Sequence, residues 1–156
     1  MNYYNNDLQN PKYLFHGSPR LLDKIEQRQA KDANNNKYNE DYAVFLTSSF
    51  LIASAYAFKD SIKKLSKGLE YDFSIGYDPD TSKEIISFKN VNVDDNIEGY
   101  IYVIPYDDKY DHQGRSIQYK CHDTVTPIDV VKVRFGDFKK YYSIEREDNY
   151  GYSKTK

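Results

Sequence analysis

The segment AVFLTSSFLIASAYAFKDSIKKLSKG, residues 43–68, narrows the choice of fold more than any other part of the chain. Ala43-Val44-Phe45-Leu46 reads as a buried strand, and the hydroxyls of Thr47, Ser48 and Ser49 supply caps for a helix that begins there. In that helix Leu51, Ala55, Phe58, Ile62 and Leu65 recur at steps of three and four on one face. A lysine-rich last turn and Gly68 end it.

Ahead of this unit, Lys12 to Phe15 reads as a strand that Gly17, Ser18 and Pro19 punctuate, and Leu21, Leu22 and Ile25 have the spacing of a short helical turn. Arg28 to Tyr42 carries no apolar periodicity and reads as a mobile loop of the length that often covers a site. Behind the helix the pattern turns to strands. Leu69 to Ile75 and Glu84 to Phe88 flank the turn sequence YDPDTSK as a hairpin. Gly99 to Ile104, Ser116 to Cys121 and Ile128 to Val133 follow, with the polar loop DDKYDHQGR between the first two and a charged tail from Lys139. This order predicts a single α+β domain over residues 1–156, dominated by antiparallel sheets, with its core at about 12–135.

A chain of 156 residues buries one core. Its net charge of -2, with both signs scattered, gives no general attraction to nucleic acid or an anionic membrane. No run approaches the roughly 18 apolar residues of a membrane span, and the opening MNYYNNDLQN resembles no signal peptide, so a cytoplasmic protein without a membrane partner is expected. The single Cys121 forms no internal disulfide, and no Cys/His spacing resembles a metal site. His122 is its sequence neighbour, but neighbours on a strand face opposite ways, which argues against a Cys/His catalytic pair.

Two residues stand apart from these structural patterns. His16 follows a buried run directly, and Tyr56 projects roughly 140° from the centre of the apolar helix face, where an aromatic ring is either solvated or stacked on something. Lys59, Lys63, Lys64 and Lys67 form a local basic patch that a charged helix end explains without a partner.

The order HGS, AVFLTSSFLIASAYAF, GYIYVIP, QYKCHDTVTPIDVVKV, running from about Tyr13 to Val133, resembles the ADP-ribosyltransferase fold of the diphtheria-toxin and poly(ADP-ribose) polymerase type, in particular its small bacterial and phage members. The resemblance implies split antiparallel β-sheets with a few flanking helices, NAD as substrate, and a macromolecular acceptor, protein or nucleic acid. It implies that His16 binds the ribose of the nicotinamide half, that the Gly17 backbone holds the carboxamide and that Ser18 helps anchor the ribose. Phe45 and Tyr56 would clamp nicotinamide between their rings, with Arg28 near the pyrophosphate. Gln118 occupies the position of the usual catalytic glutamate.

That exchange bears on mechanism. As nicotinamide leaves, positive charge develops on the ribosyl carbon, and a carboxylate stabilises a charge that exists only then. Glutamine accepts the same hydrogen bond without the negative charge. Asp123 falls on the strand face opposite Gln118, and Glu98 and Glu84 lie on other strands. Two functions follow from the resemblance: an NAD-dependent mono-ADP-ribosyltransferase or NAD glycohydrolase, and a binding module that keeps the pocket for NAD or ADP-ribose, acts by sequestration and has lost the chemistry. RNA 2′-phosphotransferase chemistry on the same fold lacks the arginines it would need.

Overall fold

The computed structural model describes residues 3–29, 42–66 and 72–145. Its elements run β1 (Tyr13–Ser18), β2 (Arg28–Gln29), β3 (Tyr42–Thr47), α1 (Phe50–Ser66), β4 (Phe73–Asp78), β5 (Lys83–Lys89), β6 (Glu98–Pro105), β7 (Asp111–His112), β8 (Gln118–Cys121), β9 (Asp129–Arg134) and β10 (Ser143–Glu145). Two short 3-10 turns, Phe135–Asp137 and Lys139–Tyr141, precede β10.

The strands form two sheets. One has the order β7-β8-β3-β1-β6-β9, with β2 also pairing with β3, and the other has the order β10-β5-β4. Every pairing is antiparallel except β10 with β5. The architecture is α+β with antiparallel sheets and, among the described residues, one α-helix.

Helix α1 begins as its hydroxyl run dictates. The Ser49 hydroxyl accepts the Ile52 N–H at 2.9 Å as the N-cap, and the Thr47 hydroxyl accepts the Ser49 N–H at 3.1 Å. The buried side is broader than the predicted stripe: Ile52, Ala53, Ser54 and Ala57 join Ala55, Phe58 and Ile62, whereas Leu65 is 51% exposed. The helix packs against β1 and β6 of the first sheet and also touches β4 and β5 of the second, so more than one face of it is covered. Phe15, Phe50, Phe58, Phe73, Phe88, Phe135 and Phe138 fill the space between the layers. A second apolar cluster, with Leu14, Val44, Leu46, Tyr102 and Tyr119, lies on the opposite side of the large sheet.

Helix and sheet meet at two glycines. A Cβ on Gly17 would stand 2.0 Å from the Ala53 carbonyl oxygen, and one on Gly99 would stand 2.8 Å from the Ala57 Cβ. Neither position has room for a side chain, so the backbone of α1 lies directly on β1 and β6.

Several sequence expectations need correction. β1 does not stop at His16: it pairs with β6 through Ser18, opposite Tyr100, because β6 offers a partner to every residue from Tyr13 on. Leu21, Leu22 and Ile25 form no helix, since Ile25 bridges Val125 and the Leu22 N–H is taken by the Tyr102 hydroxyl. Inside DDKYDHQGR, Asp111 and His112 form β7 on the edge of β8. The core continues beyond residue 135: Phe138 and Tyr142 are buried, and Ser143–Glu145 adds a strand to β5. The YDPDTSK hairpin is present, as β4 and β5; of its first strand, expected from Leu69, residues 69–71 lie outside the described residues. Of the loop expected over Arg28 to Tyr42, Arg28 and Gln29 instead form β2 and Tyr42 opens β3, because the two pair with each other; residues 30–41, with Lys67 and Gly68 of the basic patch and helix stop, lie outside the described residues.

The glycine contact yields a stability test. Gly17→Ala should lower unfolding free energy by on the order of 3 kcal/mol, as overpacking against backbone does. Gly76→Ala, where nothing lies within 4 Å of the added Cβ, should be neutral or stabilising by up to about 1 kcal/mol. Urea unfolding of both variants checks the difference.

Candidate functional site

The candidate site is an interruption in the large sheet. Hydrogen-bond direction alternates along an antiparallel strand, and the Tyr106 N–H donates to the Lys12 carbonyl at 2.9 Å one rung before β1. Counting on from there, Leu14, His16 and Ser18 bond towards β6, while Phe15 and Gly17 direct their N–H and C=O towards β3. On β3 the Ser48 N–H donates to the Ile117 carbonyl at 3.1 Å, so the even residues face β8 and Ala43, Phe45 and Thr47 face the other way.

That edge of β3 is shared. Thr47 pairs with Phe15 of β1, and Ala43 pairs with Arg28 of β2. The rung between them would join Gly17 to Phe45, but pairing of β1 with β3 is confined to Phe15 and Thr47. Instead the Phe45 carbonyl lies 3.0 Å from His16 Nδ1. A carbonyl only accepts, so Nδ1 carries the proton, and in the neutral ring Nε2 is then an acceptor. The result is a notch in the plane of the sheet, with the Gly17 backbone on one side, the Phe45 backbone on the other, and the imidazole at its mouth.

Side-chain alternation then sorts the remaining candidates. Cross-strand partners share a face, so Gln118 opposite Thr47, and Lys120 opposite Phe45, stand on the α1 side with Gly17. His16 is across from Tyr102 and belongs to the other side, meeting Phe45 only through the notch. Phe45 is half-buried and Tyr56 is 44% exposed. Ala57 touches Gly99 on β6 and Ala53 touches Gly17 on β1; Tyr56 lies about 60° beyond Ala53 in the same rotational sense, on the flank of α1 turned away from β6 and towards β3.

Two other predicted ligands stand differently. The Ser18 hydroxyl is buried and makes a local turn, donating to the Arg20 carbonyl at 2.8 Å and accepting its N–H at 3.3 Å. Arg28 contributes backbone to β2 beside the notch, and its side chain lies outside the description.

One functional candidate escaped the sequence reading, and one of the alternative acids gained a definite position. Lys120 is only 6% exposed, which places a cation on the Phe45 side of the sheet. Its signal was the alternation in QYKC, where Gln118 and Lys120 share one face and Tyr119 and Cys121 the other. Glu84, on the second sheet, accepts the Ser49 hydroxyl at 2.6 Å and so reaches the start of α1 beside the Thr47–Gln118 rung. Asp123 instead lines a cavity of about 280 Å³ with Tyr106, Tyr110 and the buried Cys121. Among the described residues no His, Cys, Asp or Glu group is arranged to hold a metal, and no helix is long and apolar enough to cross a membrane.

Compared with protein-family models, curated proteins and solved structures, the chain matches none.

The face that carries His16 also carries a tyrosine that resists ionisation. Burial, then the neighbouring Tyr106, pushes the Tyr119 phenol up from 10.0 to about 12, and its ring stacks on His112 at 4.3 Å. The folded state therefore holds the proton more tightly than the unfolded chain. This contribution is complete below pH 10 and is lost between pH 10 and pH 12. Tyr119→Phe should flatten the fall in urea midpoint across that interval.

Proposed function

We propose that this protein is an NAD-dependent mono-ADP-ribosyltransferase, or an NAD glycohydrolase, built on the ADP-ribosyltransferase fold and modifying a protein or nucleic-acid acceptor. The observation that carries the reading is the break in β1–β3 pairing, where the Gly17 and Phe45 backbones flank a notch capped by His16.

Each part of the notch matches one part of the substrate. The Gly17 N–H and C=O, directed towards β3, complement a primary carboxamide, which offers one acceptor and two donors. Phe45 and Tyr56 supply flat faces for the cationic pyridinium ring, worth roughly 0.5 to 2 kcal/mol each. The His16 Nε2 lone pair accepts from a ribose hydroxyl, and Gln118 accepts from a neighbouring one. Arg28 stands on the adjacent strand for the pyrophosphate.

A second reading is favoured by two specific residues. Gln118 is neutral and Lys120 is a buried cation on the same face. Such a face holds an anionic dinucleotide or ADP-ribose but opposes the positive charge of glycosidic cleavage. In that reading the protein is a binding module that sequesters its ligand.

Calorimetry with NAD, combined with assay of released nicotinamide, separates the readings. Wild type should bind, and His16→Ala and Tyr56→Ala should each weaken binding by about tenfold, the equivalent of roughly 1.4 kcal/mol. Release by wild type supports the transferase, and binding without release supports the module. Absence of binding overturns both.

A further inference from the structure

We propose that Glu84 is the carboxylate of this site and, resting on the NAD-transferase reading above, that it supplies from the second sheet the negative charge that Gln118 lacks. Three contacts bring it there. The Ser49 hydroxyl donates to Glu84 Oε2 at 2.6 Å, the Ser49 N–H donates to the Thr47 hydroxyl, and Thr47 stands directly across β3–β8 from Gln118. Ser49 is fully buried, so this carboxylate oxygen is held where water does not reach its partner. The backbone knits the same corner together, with Ser48 N–H on the Ile117 carbonyl and Gln118 N–H on the Ser116 hydroxyl at 3.3 Å. Tyr77, the antiparallel partner of Glu84 on β4, flanks it.

The other acids weighed for this role stand elsewhere. Glu98 is half exposed and paired with Lys132 at 3.3 Å at the far end of β6. Asp123 lines the cavity beside Tyr110 and Cys121, on the opposite side of the sheet.

The step it would assist balances simply. The C1′–N bond of NAD breaks and its electron pair stays with nicotinamide, which leaves neutral. A lone pair of the acceptor, water in the hydrolytic assay, forms the new C1′–O bond, and the acceptor's proton passes to solvent. Glu84 forms no bond and takes no proton; its charge faces the ribosyl cation while it exists. Ser49 is a positioning residue, fixing which way the carboxylate points.

The test is single-turnover nicotinamide release at saturating NAD, with NAD affinity measured on the same samples. Glu84→Gln should release nicotinamide about 10² to 10³ times more slowly than wild type, the range for removing one preorganised electrostatic group, with NAD affinity unchanged within about threefold. Ser49→Ala should slow release by about tenfold, and Glu98→Gln should release at the wild-type rate. Release by Glu84→Gln at the wild-type rate overturns the proposal, as does NAD binding by wild type without release. Loss of NAD binding in Glu84→Gln also overturns it, by making the residue a structural support. Failure of wild type to bind NAD instead removes the reading on which the proposal rests.

Discussion

The contact of α1 with Gly17 and Gly99 is the constraint on which the rest of the molecule depends. With any side chain at either position, the helix would have to retreat from the sheet, because its Ala53 carbonyl and Ala57 already occupy that space. Close approach fixes where the helix starts, and so where Ser49 sits. It also sets the height of Tyr56 above β3. Small residues spaced four apart on the helix, facing two glycines on neighbouring strands, hold the layers at a distance that larger residues would not permit.

Gly17 therefore has two roles that compete for explanation. Its missing side chain admits the helix on one face, while its backbone groups point along the sheet towards β3. The break in pairing on that side is physically notable because an unsatisfied backbone carbonyl in a sheet costs about as much as a lost hydrogen bond, roughly 1 to 3 kcal/mol. His16 relieves this for Phe45 by offering Nδ1–H where the next rung would have offered the Gly17 amide. The imidazole thus takes the place of the next rung, where the ladder between β1 and β3 does not continue.

Local features were readable from the sequence and long-range ones were not. The capped helix, the YDPDTSK hairpin and the GYIYVI strand are set by neighbours within a few residues, and all three are present. The extension of β1 through Gly17, the non-helical path of Leu21 to Ile25 and the strand at Ser143–Glu145 depend on β6, Val125 and β5, each distant in sequence. The same limit applied at the site. His16, Gly17, Phe45 and Gln118 were singled out from motif order, and the structure brings the first three to one notch with Gln118 one rung further along. Lys120 was hidden because a lysine in a short strand ordinarily points to water. Glu84 was one of three acids weighed from the sequence, but its contact with Ser49, 35 residues away on another layer, was not readable there.

The central claim is that nicotinamide occupies the notch between Gly17 and Phe45, under Tyr56. The most direct measurement is an isotope-filtered NMR experiment on protein labelled in phenylalanine and tyrosine, recording intermolecular contacts with NAD. The account predicts contacts from the nicotinamide ring protons to the Phe45 and Tyr56 rings, both weakened on His16→Ala at the same subsaturating NAD concentration. Contacts made only by the adenine protons, or nicotinamide contacts at the Tyr106–Tyr110 cavity in place of the notch, would contradict it.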